Sequence, residues 1–188
     1  MDFRQYHDLE DYLFRIVRTS FARQRYLSAF DFFCIVIWKA NRAKGKIAGK
    51  LMKNPKGRHN LKKAVHALTD SIARQKSCRD RLRCLCKEWK LSLSMASTIL
   101  TVLYPKDFTI YDERVCDTLG EFHDLKNRTN FESIWCGYEQ FKRRVEEFAP
   151  QQLSLRDKDR YLWGKSFYDD LTKDIKRCFN QKRKGSKR

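Results

Sequence analysis

No stretch of this chain stays apolar for long. The longest unbroken run, Phe32 to Trp38, is far too short to span a bilayer. The opening MDFRQYHDLEDYL is acidic and amphipathic rather than basic then apolar, which argues against a secretory signal. A membrane partner is therefore not expected. The seven cysteines are odd in number and irregularly spaced, and no two form a C-x-x-C pair. Free, mostly buried thiols in a reducing cytoplasm are the expected state, and a nucleoid location if the source is bacterial. His7, His59, His66 and His123 are scattered, so no metal site and no cofactor are expected. Walker, dinucleotide and H-E-x-x-H fingerprints are missing, as are a serine elbow and any internal repeat, which removes the function classes those motifs carry.

Acidic residues are scarce, and in one region missing altogether. Across 188 residues, 41 Lys and Arg face 23 Asp and Glu, a formal charge of +18. Such a surplus on a globular chain points to a polyanion, most simply nucleic acid. From Phe32 to Thr69 there is no Asp or Glu, while basic residues recur from Lys39 to Lys63. With Gly45, Gly49, Pro55 and Gly57 interspersed, this region reads as a mobile basic loop that contacts phosphates, Arg42, Lys44 and Lys46 among its contacts.

Helical spacing accounts for most of the remainder. Leu9, Leu13, Ile16 and Val17 form a stripe on a helix over about Asp8 to Phe21. A largely buried helix follows over about Ser28 to Ala43. Further helices are read over Leu61 to Ile72, Ser77 to Trp89 and Ala96 to Leu103. Pro105 then forces Tyr104 out of the α region, and Phe108 to Tyr111 reads as extended chain ending at Asp112. Asp112 caps the next helix, which Gly120 stops. A helix from Asn130 or Phe131 to Ala149, another after Ser154 and a last one over Ser166 to Phe179 complete the chain. The expected architecture is all-α: one domain over 1–180, with a cleft between helical lobes, and a disordered basic tail over 181–188.

The stretch from Trp89 to Gly120 resembles the helix-hairpin-helix superfamily of DNA glycosylases. The resemblance rests on Leu91-Ser92-Leu93-Ser94-Met95-Ala96 for the hairpin and helix start and on Ile110-Tyr111-Asp112-Glu113-Arg114-Val115 for the aspartate turn. It covers about thirty residues and implies a helical glycosylase fold with Asp112 as the catalytic carboxylate. Where the family's hairpins carry G-x-G, this chain has Lys90 and Ser92. Lys87, Lys90, Ser92 and Ser94 are then expected along one DNA strand, their ammonium and hydroxyl groups replacing glycine amides as donors. Members that also cut the backbone carry a lysine where this chain has Ser94. A hydrolase that leaves an abasic site is implied.

Further roles follow from the same resemblance. Trp38, Lys39 and Asn41 lie where the family lines the base pocket or fills the gap left by an extruded base. Arg114 and Tyr111 flank Asp112, with Arg114 available to DNA. Trp163 either stacks on the extruded base or packs in the core. Lys39 is an alternative source of a Schiff-base nucleophile, which would add strand cleavage. The expected partner is double-stranded DNA, bound by a monomer. Two other classes remain open: a non-catalytic nucleic-acid binder in which Asp112 is a plain cap, and an RNA-associated protein.

Overall fold

The apolar stripes become nine helices among the described residues, with no strand. A computed structural model describes residues 2–57 and 59–184, the last six through their backbone alone. Helix α1 covers residues 9–24, its middle, Tyr12–Val17, wound as a π turn. Asp8 caps it by accepting from the Asp11 amide, and Leu13, Val17 and Phe21 face inward. Helix α2, Ala29–Ala40, starts at the Ser28 cap and buries Phe32, Cys34, Ile35 and Val36. One further turn of 3-10 helix, Asn41–Ala43, leads directly into α3, Lys44–Lys53.

That third helix replaces the expected basic loop. Ile47 and Leu51 sit four residues apart and are both buried. Burying two aliphatic side chains gains roughly 1.5–3 kcal/mol each. Gly45 and Gly49 cost about 1 kcal/mol each in a helix interior, so burial wins. The lysines between them then lie on an ordered, solvent-facing surface.

Helix α4, Leu61–Arg74, begins at the Asn60 cap. Helix α5 covers residues 78–88 and ends in a π turn, Cys84–Glu88. Helix α6, Leu93–Leu103, is the centre of the molecule, with every residue from Met95 to Leu103 buried. It packs against α1, α2 and α5. Helix α7, Glu113–Leu119, ends where Gly120 takes φ 73°, a left-handed conformation that Gly adopts without steric cost. Helix α8 is Phe131–Phe148.

The last helix, α9, runs unbroken over Leu155–Lys184, where two separate helices were expected. Gly164 falls within it, and a lone Gly weakens a helix by only about 1 kcal/mol. Leu162 is fully buried beside it, and the Thr118 hydroxyl donates to the Leu162 carbonyl at 2.9 Å, tying α9 to α7. The first residues of the expected disordered tail, 181–184, continue this helix. The tail's remainder, 185–188, lies outside the described residues. No helix among the described residues is long and apolar enough to cross a membrane.

Candidate active site

The connector before Asp112 is fixed by two hydroxyls. Tyr138 of α8 accepts from the Thr109 amide at 3.1 Å and donates to the Thr109 carbonyl at 2.7 Å. Ser97 of α6 accepts from the Tyr111 amide at 2.9 Å. All four residues are buried, so these bonds satisfy backbone groups that water cannot reach. They also set where Asp112 stands. Its side chain accepts from the Arg114 amide at 3.0 Å, the cap read from the sequence. The other carboxylate oxygen takes the Lys39 ammonium from α2.

Both partners border a cavity of about 340 Å³. Glu10 from α1, Trp38 and Lys39 from α2, Ile110 and Asp112 from the connector, and Arg156, Asp159, Arg160 and Trp163 from α9 form its wall. The structure thus brings together Asp112, Trp38, Lys39 and Trp163 from three distant points of the chain. Trp38 packs edge-on against Phe14, with the Arg156 guanidinium over its ring. Trp163 is 44% exposed rather than in the core; it stacks on Phe167 with ring planes 6° apart. The Arg114 guanidinium lies over both rings and pairs with Asp170, so that side chain is engaged with α9. Asn41 does not border the cavity. It sits two residues past Lys39 and accepts from the Lys44 ammonium.

Four charged residues of the cavity, Glu10, Arg156, Asp159 and Arg160, had no role in the sequence reading. Arg156 pairs with both Glu10 and Asp159, and its guanidinium covers the Phe14 and Trp38 rings. Asp159 is only 3% exposed, and burial pushes its carboxyl up to about 6 against the opposing pull of Arg156 and Lys39. Arg156, Asp159, Arg160 and Trp163 recur at helical spacing, a polar face that marks them as a group. Their partners on α1 and α2 left no local trace.

The turn between α5 and α6 holds the other predicted residues. Lys90 takes φ 54°, the left-handed conformation that a glycine would take freely. The Leu91 amide donates to the Leu85 carbonyl at 3.0 Å, and Ser92 caps α6. The Lys50 ammonium of α3 donates to the Lys90 carbonyl at 2.8 Å. Lys90 and Ser92 are exposed and Ser94 is half-buried. Lys87 is exposed but spends its ammonium on the Thr129 carbonyl at 3.0 Å. Arg42, Lys44 and Lys46 are exposed along the start of α3.

All seven cysteines are free, with Cys34, Cys84 and Cys116 buried. Burial pushes the Cys84 and Cys116 thiols up to about 12, which makes them poor nucleophiles at neutral pH. Among the described residues, no cluster of three or more His, Cys, Asp or Glu is arranged to hold a metal ion. No family model, no curated protein and no solved structure matches the chain.

Proposed function

We propose that the protein is a DNA glycosylase that hydrolyses the bond between an extruded base and its deoxyribose, leaving an abasic site. The observation that carries this reading is the position of Asp112: a carboxylate anchored at a helix start, 22% exposed, on the wall of a cavity flanked by Trp38 and Trp163. Its volume falls within the range of small-molecule sites, about 300–1,000 Å³. Aromatic walls suit a nucleobase, whose faces stack on indole rings.

The chemistry follows from the bond to be broken. Departure of the base develops positive charge on the sugar, and a fixed carboxylate in a partly dry cavity stabilises that charge. The base must first leave the duplex, because the reacting bond is hidden within the stack. The left-handed turn at Lys90, set between α5 and α6, supports reading this region as a helix-hairpin-helix element that grips one strand. Exposed Lys90, Ser92, Arg42, Lys44 and Lys46 supply contacts to duplex phosphates. One copy of the chain carries every group this reaction uses, so a monomer suffices.

One observation favours a non-catalytic binder: Asp112 accepts from the Arg114 amide as an ordinary helix cap does. The test is a panel of duplexes, each with one altered base, incubated with protein and then alkali. Strand breaks at one altered base support the glycosylase. DNA binding with intact strands throughout would leave the binder.

A further inference from the structure

Asp159 is the second carboxylate at the cavity wall that is drawn into the Lys39 and Asp112 charge system. Its side chain borders the cavity although the residue is 3% exposed, and one of its oxygens is held by Arg156 one turn earlier on α9. The charged and titratable groups around it come from five elements: Arg156 and Arg160 from α9 itself, Lys39 from α2, Asp112 from the start of α7, Tyr138 from α8 and Glu10 from α1. The Asp112 charge adds to the effect of burial in disfavouring a second ionised carboxylate, while Arg156 and Lys39 act against it. Burial prevails, and the carboxyl is pushed up to about 6. Trp163 lies four residues further along α9 and borders the same cavity, so an indole ring and the Asp159 carboxyl share one wall.

A nucleobase is a poor leaving group as an anion and a far better one once protonated. A cavity that pairs one carboxylate with an ammonium and disfavours ionisation of its neighbour divides the work of counter-ion and acid between them. We propose that Asp159 is a further catalytic residue, the acid that protonates the departing base while Asp112 faces the sugar. This rests on the glycosylase reading. The bond between C1′ and the base nitrogen breaks with its electron pair going to the base, which takes the proton of the Asp159 carboxyl. Water adds its oxygen to C1′ and gives a proton to Asp112. After product release, solvent carries that proton from Asp112 back to Asp159, and the cycle closes.

The test compares wild type with Asp159→Asn, which keeps the shape and an acceptor for Arg156. Single-turnover base release is measured from pH 5 to 8 on two duplexes. One carries a base that the wild type releases; the other carries its N7-alkylated or electron-poor analogue, whose departure needs no proton. The wild type should slow as pH rises above about 6 on the first duplex. Asp159→Asn should lose about a hundredfold there and show no such slope. On the activated analogue, the substitution should cost less than about threefold. Circular dichroism and thermal melting check that the variant folds, and Asp159→Glu should restore part of the rate and the slope. Equal losses on both duplexes, no loss on either, or a pH slope that survives in Asp159→Asn would each overturn the proposal. Failure of the wild type to release any base would instead remove the glycosylase reading itself.

Discussion

Lys39 and Asp112 lie 73 residues apart in the chain and meet as an ion pair at the cavity wall. Their side chains are 14% and 22% exposed, so the pair is partly withdrawn from water while still open to the cavity. With one oxygen on the Arg114 amide and the other on Lys39, the Asp112 carboxylate is held from both sides. A plain N-cap needs only the first of these. The second gives the carboxylate a fixed orientation toward the cavity, which is what a catalytic group requires and a cap does not.

Replacing Asp112 by Asn keeps an N-cap of equal quality and nearly the same volume. Stability should fall by about 1–3 kcal/mol as the Lys39 ammonium loses its counter-ion, while DNA affinity stays within about twofold of wild type and base release falls by about 10²–10⁴. Filter binding and alkali cleavage of the same preparation measure both. Retained base release would move the catalytic role to another residue.

An ammonium that is ion-paired has no lone pair with which to attack a sugar. Borohydride added during turnover should thus leave no covalent protein–DNA product, and Lys39→Met should lower base release by about a hundredfold by freeing the Asp112 rotamer. A trapped adduct that disappears in Lys39→Met would make Lys39 the nucleophile and the enzyme a strand-cleaving one.

Lys90 holds a conformation that costs a non-glycine residue about 1–2 kcal/mol, partly offset by the greater unfolded-state freedom of glycine. Lys90→Gly should raise unfolding free energy by up to about 1 kcal/mol in urea titration. Loss of one phosphate contact should lower the magnitude of the salt slope of DNA binding by about 1. The same reduction is expected for Arg42→Ala, Lys44→Ala and Lys46→Ala taken singly. A slope unchanged in all four variants would place DNA elsewhere on the surface.

Asp159 titrates at about 6 when folded, above its ordinary carboxylate value of 3.8. Between those values the folded chain holds a proton on this group that the unfolded one has lost, so the contribution of Asp159 to stability is greatest below about 4 and declines as pH rises through 6. At 1.36 kcal/mol per unit, the decline amounts to about 2–3 kcal/mol. Asp159→Asn should flatten the stability profile over that window in urea titrations at stepped pH. A profile that keeps its full slope in the variant would assign it to another group.

The connector offers a test of positioning. Tyr138→Phe removes both bonds to Thr109 and leaves its buried amide and carbonyl unpartnered. A loss of about 2–4 kcal/mol in stability is expected, with base release falling further than Asp112-independent DNA binding. Equal stability in the two proteins would mean that water replaces the hydroxyl.

Much of the helical framework was legible in the residue pattern. Ser28, Asp112 and Asn130 cap helices at the starts expected of them, and Gly120 ends one. The errors lay where glycine was weighed too heavily. Gly45 and Gly49 suggested a loop, but burial of Ile47 and Leu51 carried the segment into a helix; a lone Gly164 did not break α9. Asp112 and Lys39 stand out in the residue pattern, whereas Asp159, Arg156, Ser97 and Tyr138 do not, because their importance lies in partners far along the chain.

Local chemistry alone decided the helical class, most of the caps and stops, and the excess of positive charge, since each depends on neighbours within a few residues. Only the packed molecule decided that Lys39, Asp112, Asp159 and Trp163 border one space. Helix crossing and loop reach bring α2, the connector and α9 together, and burial on that junction sets the protonation of Asp159. Those influences act through space, between residues whose order along the chain carries no record of the meeting.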